Sequence, residues 1–253
     1  MAAELTAIPA ARRSRNPERD YPAPLPDAPP PDEIDLRRPW QTVPDQGRTA
    51  SCVGWSVAES LRWYLVEAGR LAPDQPLSPR HIWMAAKETD QRTGYPSTFL
   101  EQDGTSLKAG LDVVRRFGAV LESELPWDKQ LAADPPDDFN RSAASRKILS
   151  YYTLGDDSVP DRRVHFDGWR RWLAHTGPVV IMLLIDKHVA AAELETFDAA
   201  SVQGSHAAAL FGYGPDHFLL RSSWGTDWGD GGYARMSLEY AAQAVIESYG
   251  VIV

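Results

Sequence analysis

"DQGRTASCVGWS", residues 45–56, holds the single cysteine of the chain, Cys52, between a polar Gly-bearing loop and an apolar-periodic segment. Beyond it Val57, Leu61, Tyr64, Leu65 and Ala68 recur at helical spacing, and Gly69 supplies a stop, so the thiol falls at the first turn of a helix. That position meets one condition for a nucleophile. The thiolate is the reactive form, and its usual pKa of about 8.5 falls at a helix N-terminus beside a cationic imidazole. A lone cysteine is more often a small buried hydrophobe, so the rest of the chain must supply the imidazole.

Working outward, residues 1–33 read as an unstructured, Pro-rich arm, because "YPAPLPDAPPPDE" favours polyproline II and packs no core. Residues 34–145 read as mainly helical. "LSPRHIWMAAKETD" predicts a second helix and "GTSLKAGLDVVRRFGAV" a third, with Thr105 or Ser106 as cap and Gly118 as terminator. Residues 146–253 change character: "KILSYYTL", "PVVIMLLID", "AAALFGYG", "HFLLRSSW" and "YARMSL" are short apolar or alternating runs between turn residues. "GWRRWLAHTGP" places one helix among these strands. The predicted class is α+β, a helical lobe against a strand lobe, with a cleft between them as the natural binding site.

Composition narrows the chemistry. An apolar content of 43% with nine Trp and nine Tyr is globular, and one cysteine excludes an internal disulfide framework. The opening "MAAELTAIPAARRSRNPERDY" lacks a secretory apolar segment, and the run Val179–Ile185 is far short of the roughly 20 residues of a membrane helix. The expected compartment is the cytoplasm, with no membrane partner. A net charge of −9 opposes binding to nucleic acid, and Arg12, Arg13 and Arg15 read as a solvated arm. No metal or cofactor is expected: there is no second Cys, no His-Glu-x-x-His and no phosphate loop, and "GYGPDH" lacks dinucleotide spacing.

Of six histidines, His206 stands apart, since "GSHAAALFGYG" sets it at the start of a strand that can hold its ring towards the cleft. Farther on, "HFLLRSSWGTDWGDGGYARM" carries two Trp-Gly pairs four residues apart and a Gly-Gly before Tyr233. Packing and turn habits alone do not require that combination.

Three blocks, "DQGRTASCVGWS", "SHAAALFGYG" and "LLRSSWGTDWGDGGYARM", together resemble the papain-like cysteine peptidases. The looser "IDLRRPWQTVPDQG", "LSPRHIWMAAK", "DGTSLKAGLDVVRRFG" and "TGPVVIMLLI" resemble bacterial members, and the likeness runs from about Ile34 to the C-terminus. It implies a two-lobed fold, with a helical lobe carrying the thiol and a β-barrel-like lobe carrying the imidazole. It also implies roles: Cys52 as nucleophile, His206 as base and acid, and Gln46 as side-chain donor of an oxyanion hole completed by the Cys52 N–H. Ser222 stands where most members carry the Asn that orients the imidazole. Gly104, Ser205 and Trp224 are implied along the substrate cleft, although "DGTS" equally caps the third helix.

The departures matter. A Ser222 hydroxyl is shorter than an Asn amide and is expected to reach the ring through water or local adjustment, at a loss on the order of 1 kcal/mol. Val53 replaces the usual Trp, and Thr49 replaces a cysteine often used in a disulfide, which fits a reducing compartment. Only about 33 unstructured residues precede the domain, so inhibition by a long helical pro-segment is not expected, and a regulatory partner or the arm is left as the control. The expected activity is hydrolysis of peptide or protein substrates through a thiolate–imidazolium pair and a thioester. The alternatives are a catalytically weak peptide-binding module and a thiol acyltransferase.

Overall fold

The computed structural model describes residues 21–90, 104–129 and 136–253. After a short strand at Ile34–Asp35 the described residues form four helices: α1 (Cys52–Glu67), α2 (Pro79–Asp90), α3 (Leu107–Arg116) and α4 (Asp137–Ala144). Helix α1 is buried on nearly every side, including Glu59, Ser60 and Arg62, because it packs against α2 and α3 on one side and the sheet on the other. Its end follows from Gly69, which takes φ +68° after the Ala68 cap. Ser106 Oγ caps α3 by accepting from Ala109 N at 3.2 Å, and Gly118 follows at φ +91° with its N–H donated to Val113 O.

Strands dominate from residue 150: β2 (Ser150–Asp156), β3 (Val179–Ile185), β4 (Glu193–Leu194), β5 (Gly204–Tyr213), β6 (His217–Arg221), β7 (Tyr233–Ser237) and β8 (Val245–Ile252). Helix α5 (Phe166–His175) lies between β2 and β3, and α6 (Leu238–Ala244) between β7 and β8. The sheet runs β2-β8-β3-β5-β6-β7-β4, with β1 (Ile34–Asp35) paired to β5. Its path is open, with β2 and β4 at the two ends. All neighbours pair antiparallel except β4 and β7, and Leu183 sits opposite His206.

One apolar core joins the two halves, running from Val57 and Leu61 of α1 through Val180 and Ile181 of β3 to Leu210 of β5. Within it a short polar chain is paired: Trp172 Nε1 donates to Tyr64 Oη at 2.9 Å, and Tyr64 Oη donates to Pro178 O at 2.7 Å. Ala207, Ala208 and Ala209 of β5 are small, so α1 approaches the sheet closely there. Among the described residues no helix is long and apolar enough to cross a membrane.

The arm expected over residues 1–33 needs correction. Residues 1–20 lie outside the described residues, but 21–33 are laid along the second half. Thr153 N donates to Tyr21 O at 3.0 Å and Ala23 N to Thr153 O at 3.1 Å, which covers part of the β2 edge. Arg171 Nη1 donates to the carbonyls of Pro26, Asp27 and Ala28, and Tyr213 Oη to that of Pro31. A polyproline segment satisfies none of its own backbone groups. Here an edge strand, a guanidinium and a tyrosine hydroxyl satisfy several of them.

Candidate active site

Cys52 is the first residue of α1 and is 1% exposed. Sixteen aligned peptide units put the positive end of the helix dipole at its sulfur. The Ser51 side chain does not cap the helix. It pairs instead with Thr49 Oγ1 at 2.6 Å, which folds the preceding loop back on itself.

His206 occupies the third position of β5 and is 2% exposed. Its Nε2 lies 3.0 Å from Ser222 Oγ, just beyond the end of β6. The expectation that Ser222 would need water or adjustment to reach the ring is therefore corrected: the Ser222 backbone is held by its N–H on Gly232 O at 3.1 Å, close enough for a short side chain. With Nε2 engaged, Nδ1 is the ring atom left for proton exchange. Trp224 stacks on the imidazole, with centroids 4.0 Å apart and planes 27° apart. Burial lowers the His206 pKa to about 3, because an imidazolium loses its hydration there. A charged ring at this place requires an anion against it.

Gln46 is buried, and its amide is oriented at both ends. Nε2 donates to Thr49 O at 2.7 Å, and Oε1 accepts from Ser223 Oγ at 2.7 Å. Its backbone N–H also donates to Ser223 O at 2.8 Å. An amide nitrogen carries two N–H groups, so one remains for a substrate oxygen. Ser222 and Ser223, adjacent in sequence, thus place the imidazole and the amide donor from one turn.

Two bonds set the register between the halves. Ser56, one turn after Cys52, donates to Ala208 O at 2.7 Å, two residues after His206. Arg221, next to Ser222, donates to Glu59 Oε2 of α1 at 2.9 Å and to Thr42 O at 2.6 Å. The first brings the N-terminal turn of α1 to the start of β5. The second ties the Ser222 turn to the same helix.

Residues 30–253 match the model of the papain family cysteine proteases. The chain belongs to the papain family. Xylellain, a cysteine protease from Xylella fastidiosa, has the same fold, with a TM-score of 0.81 over 97% of this chain and 96% of that one at 22% identity. Among curated relatives, a cathepsin L-like proteinase of Fasciola hepatica is 24% identical over 213 residues and cathepsin K of Mus musculus 27% over 228. Each comparison covers 82% of this chain and 60% of the relative. The chain thus spans about three fifths of the length of these relatives.

Within this papain-family chain the remaining sequence-predicted residues separate. Ser205 is half-buried beside His206. Gly104 is buried two residues before the Ser106 cap, so the α3 N-terminus places it, not the His206 strand. Val53 has a local reason: a Cβ on Gly110 of α3 would come 2.7 Å from Val53 Cγ1, which leaves no room for indole bulk. Sequence reasoning missed Ser223, Ser56 and the Glu59–Arg221 pair. The only signal was a polar residue at a helical position facing apolar neighbours, as Ser56 and Glu59 are within "GWSVAESLRW".

Proposed function

We propose that the chain is a cysteine peptidase acting on peptide or protein substrates, with Cys52 as nucleophile, His206 as base and acid, and Gln46 as oxyanion donor. The observation that supports this reading is the 3.0 Å contact between His206 Nε2 and Ser222 Oγ; with Nε2 so engaged, the proposed partner of the thiol is Nδ1. Cys52 Sγ passes its proton to Nδ1 and attacks the peptide carbonyl carbon. The carbonyl oxygen takes the negative charge, which Gln46 Nε2 holds. The C–N bond then breaks as Nδ1–H protonates the leaving amine, giving a thioester. Water, deprotonated by Nδ1, hydrolyses the thioester to a carboxylate and restores the thiol.

The binding-only alternative drew its motive from a poorly placed Ser222, and direct contact with the ring removes that motive. The cytoplasm is the compartment assigned here, supported by the lone thiol and by Thr49 in place of a disulfide cysteine; cell fractionation with an antibody to the full chain checks it. Cleavage of a peptide mixture tests the activity. New N-termini in the native protein and none with Cys52→Ala are expected, whereas identical products from both would end the proposal.

A further inference from the structure

The contact between His206 Nε2 and Ser222 Oγ fits two proton arrangements. In one, the ring N–H donates to the hydroxyl oxygen and Nδ1 keeps its lone pair. In the other, the hydroxyl donates to Nε2, the ring proton sits on Nδ1, and the base is disabled. An Asn whose side-chain carbonyl faces the ring can only accept there and so enforces the first arrangement, but a serine hydroxyl can do either. A second acceptor for the Ser222 proton has to settle the choice.

A small cavity borders Ser222, lined also by Trp55, Ser56, Ala208 and Ser223, with about 10 Å³ open to the centre of a water molecule. That is about the room for one water. Trp55 Nε1 is buried and has no hydrogen-bond partner among the described residues. Ser56 Oγ already donates to Ala208 O, and Ser223 Oγ to Gln46 Oε1, so both have only lone pairs left to offer. Arg221, which also lines the cavity, is engaged by Thr42, Glu59 and Tyr233. Trp55 and Ser222 therefore offer the cavity two hydrogens, and Ser56 and Ser223 offer it two oxygens. A single water has the complementary set.

We propose that one ordered water occupies this cavity, accepting from Ser222 Oγ–H and Trp55 Nε1–H and donating to Ser56 Oγ and Ser223 Oγ. The water holds His206 as the Nε2–H tautomer, which makes Trp55 and Ser56 positioning residues for the base. This rests on the reading of His206 as the base, but its test does not depend on turnover.

The test uses the full chain with Cys52→Ala and ¹⁵N-labelled histidine. Long-range ¹H–¹⁵N correlation is expected to show His206 protonated at Nε2 and bare at Nδ1, with the signals assigned by their loss in His206→Gln. A crystal structure of the same protein is expected to place a water within about 3.2 Å of both Ser222 Oγ and Trp55 Nε1. Ser56→Val fills the cavity and Trp55→Phe removes its N–H; each is expected to bring in the Nδ1–H form, and Ser222→Asn added to either restores Nε2–H. A dry cavity, a predominant Nδ1–H form in the Cys52→Ala parent, or a tautomer moved by neither variant would overturn the inference. If the water and tautomer are found while the native protein cleaves nothing in the peptide mixture, the peptidase reading fails and this one stands.

Discussion

Replacing Ser222 by Ala takes from His206 Nε2 its hydrogen-bond partner at 3.0 Å. Leaving that buried N–H unpaired costs about 1–3 kcal/mol, so kcat/KM of Ser222→Ala in a peptide assay should fall roughly ten- to hundredfold. Gln46→Ala removes one oxyanion donor, and kcat should fall about 10²-fold or more. A third residue acts on stability. Burial lowers the His81 pKa to about 4 from its usual 6.5, so His81 is neutral in the fold and protonates only in the unfolded chain between those values. Its contribution is therefore intact above about pH 6.5 and is lost as pH falls to about 4. His81→Gln should retain about 3 kcal/mol that the native protein loses over this window, read by denaturant unfolding at pH 7 and pH 4. At this scale Cys52, His206 and Gln46 could be named as candidates because their blocks, taken together and in order, resemble the papain family. The reach of Ser222 was not, since a sequence gives side-chain length but not how near a backbone anchor on Gly232 brings the turn.

Among the elements, α1 and α3 touch where Gly110 faces Val53. A methyl on Gly110 would stand 2.7 Å from Val53 Cγ1 and 3.3 Å from Val57 Cγ2. Gly110→Ala should destabilise the protein by about 1–3 kcal/mol through overpacking, measured as a lower Tm, and should displace the residue next to the thiol. Helices α1 to α3 and α5 were readable from apolar period and Gly stops. Helix α4 has eight residues with only Ala143 buried, too little period to detect. Strand β8 escaped for the opposite reason, because Glu247 and Ser248 break its apolar run although both are buried. Ser248 Oγ accepts from Trp169 Nε1 at 3.0 Å and donates to Gly155 O at 2.8 Å. A satisfied polar core position looks like a loop until its partners are known.

Across the whole molecule, the seam between the halves depends on Glu59 and Arg221, both buried and 2.9 Å apart. Glu59→Met leaves the Arg221 charge in the seam and should cost about 3–5 kcal/mol, seen as a Tm lower by roughly 10 °C. The pair could not be read from sequence, because the two residues are 162 positions apart and each resembles an ordinary surface charge. The seam matters because it brings the start of α1 to the start of β5, and the account stands on sulfur and imidazole acting together there. Covalent labelling measures that most directly. An epoxysuccinyl inhibitor should modify Cys52 in the native protein between mildly acid and neutral pH, and should fail after His206→Ala. No labelling of the native protein, or equal labelling of both, would contradict the account.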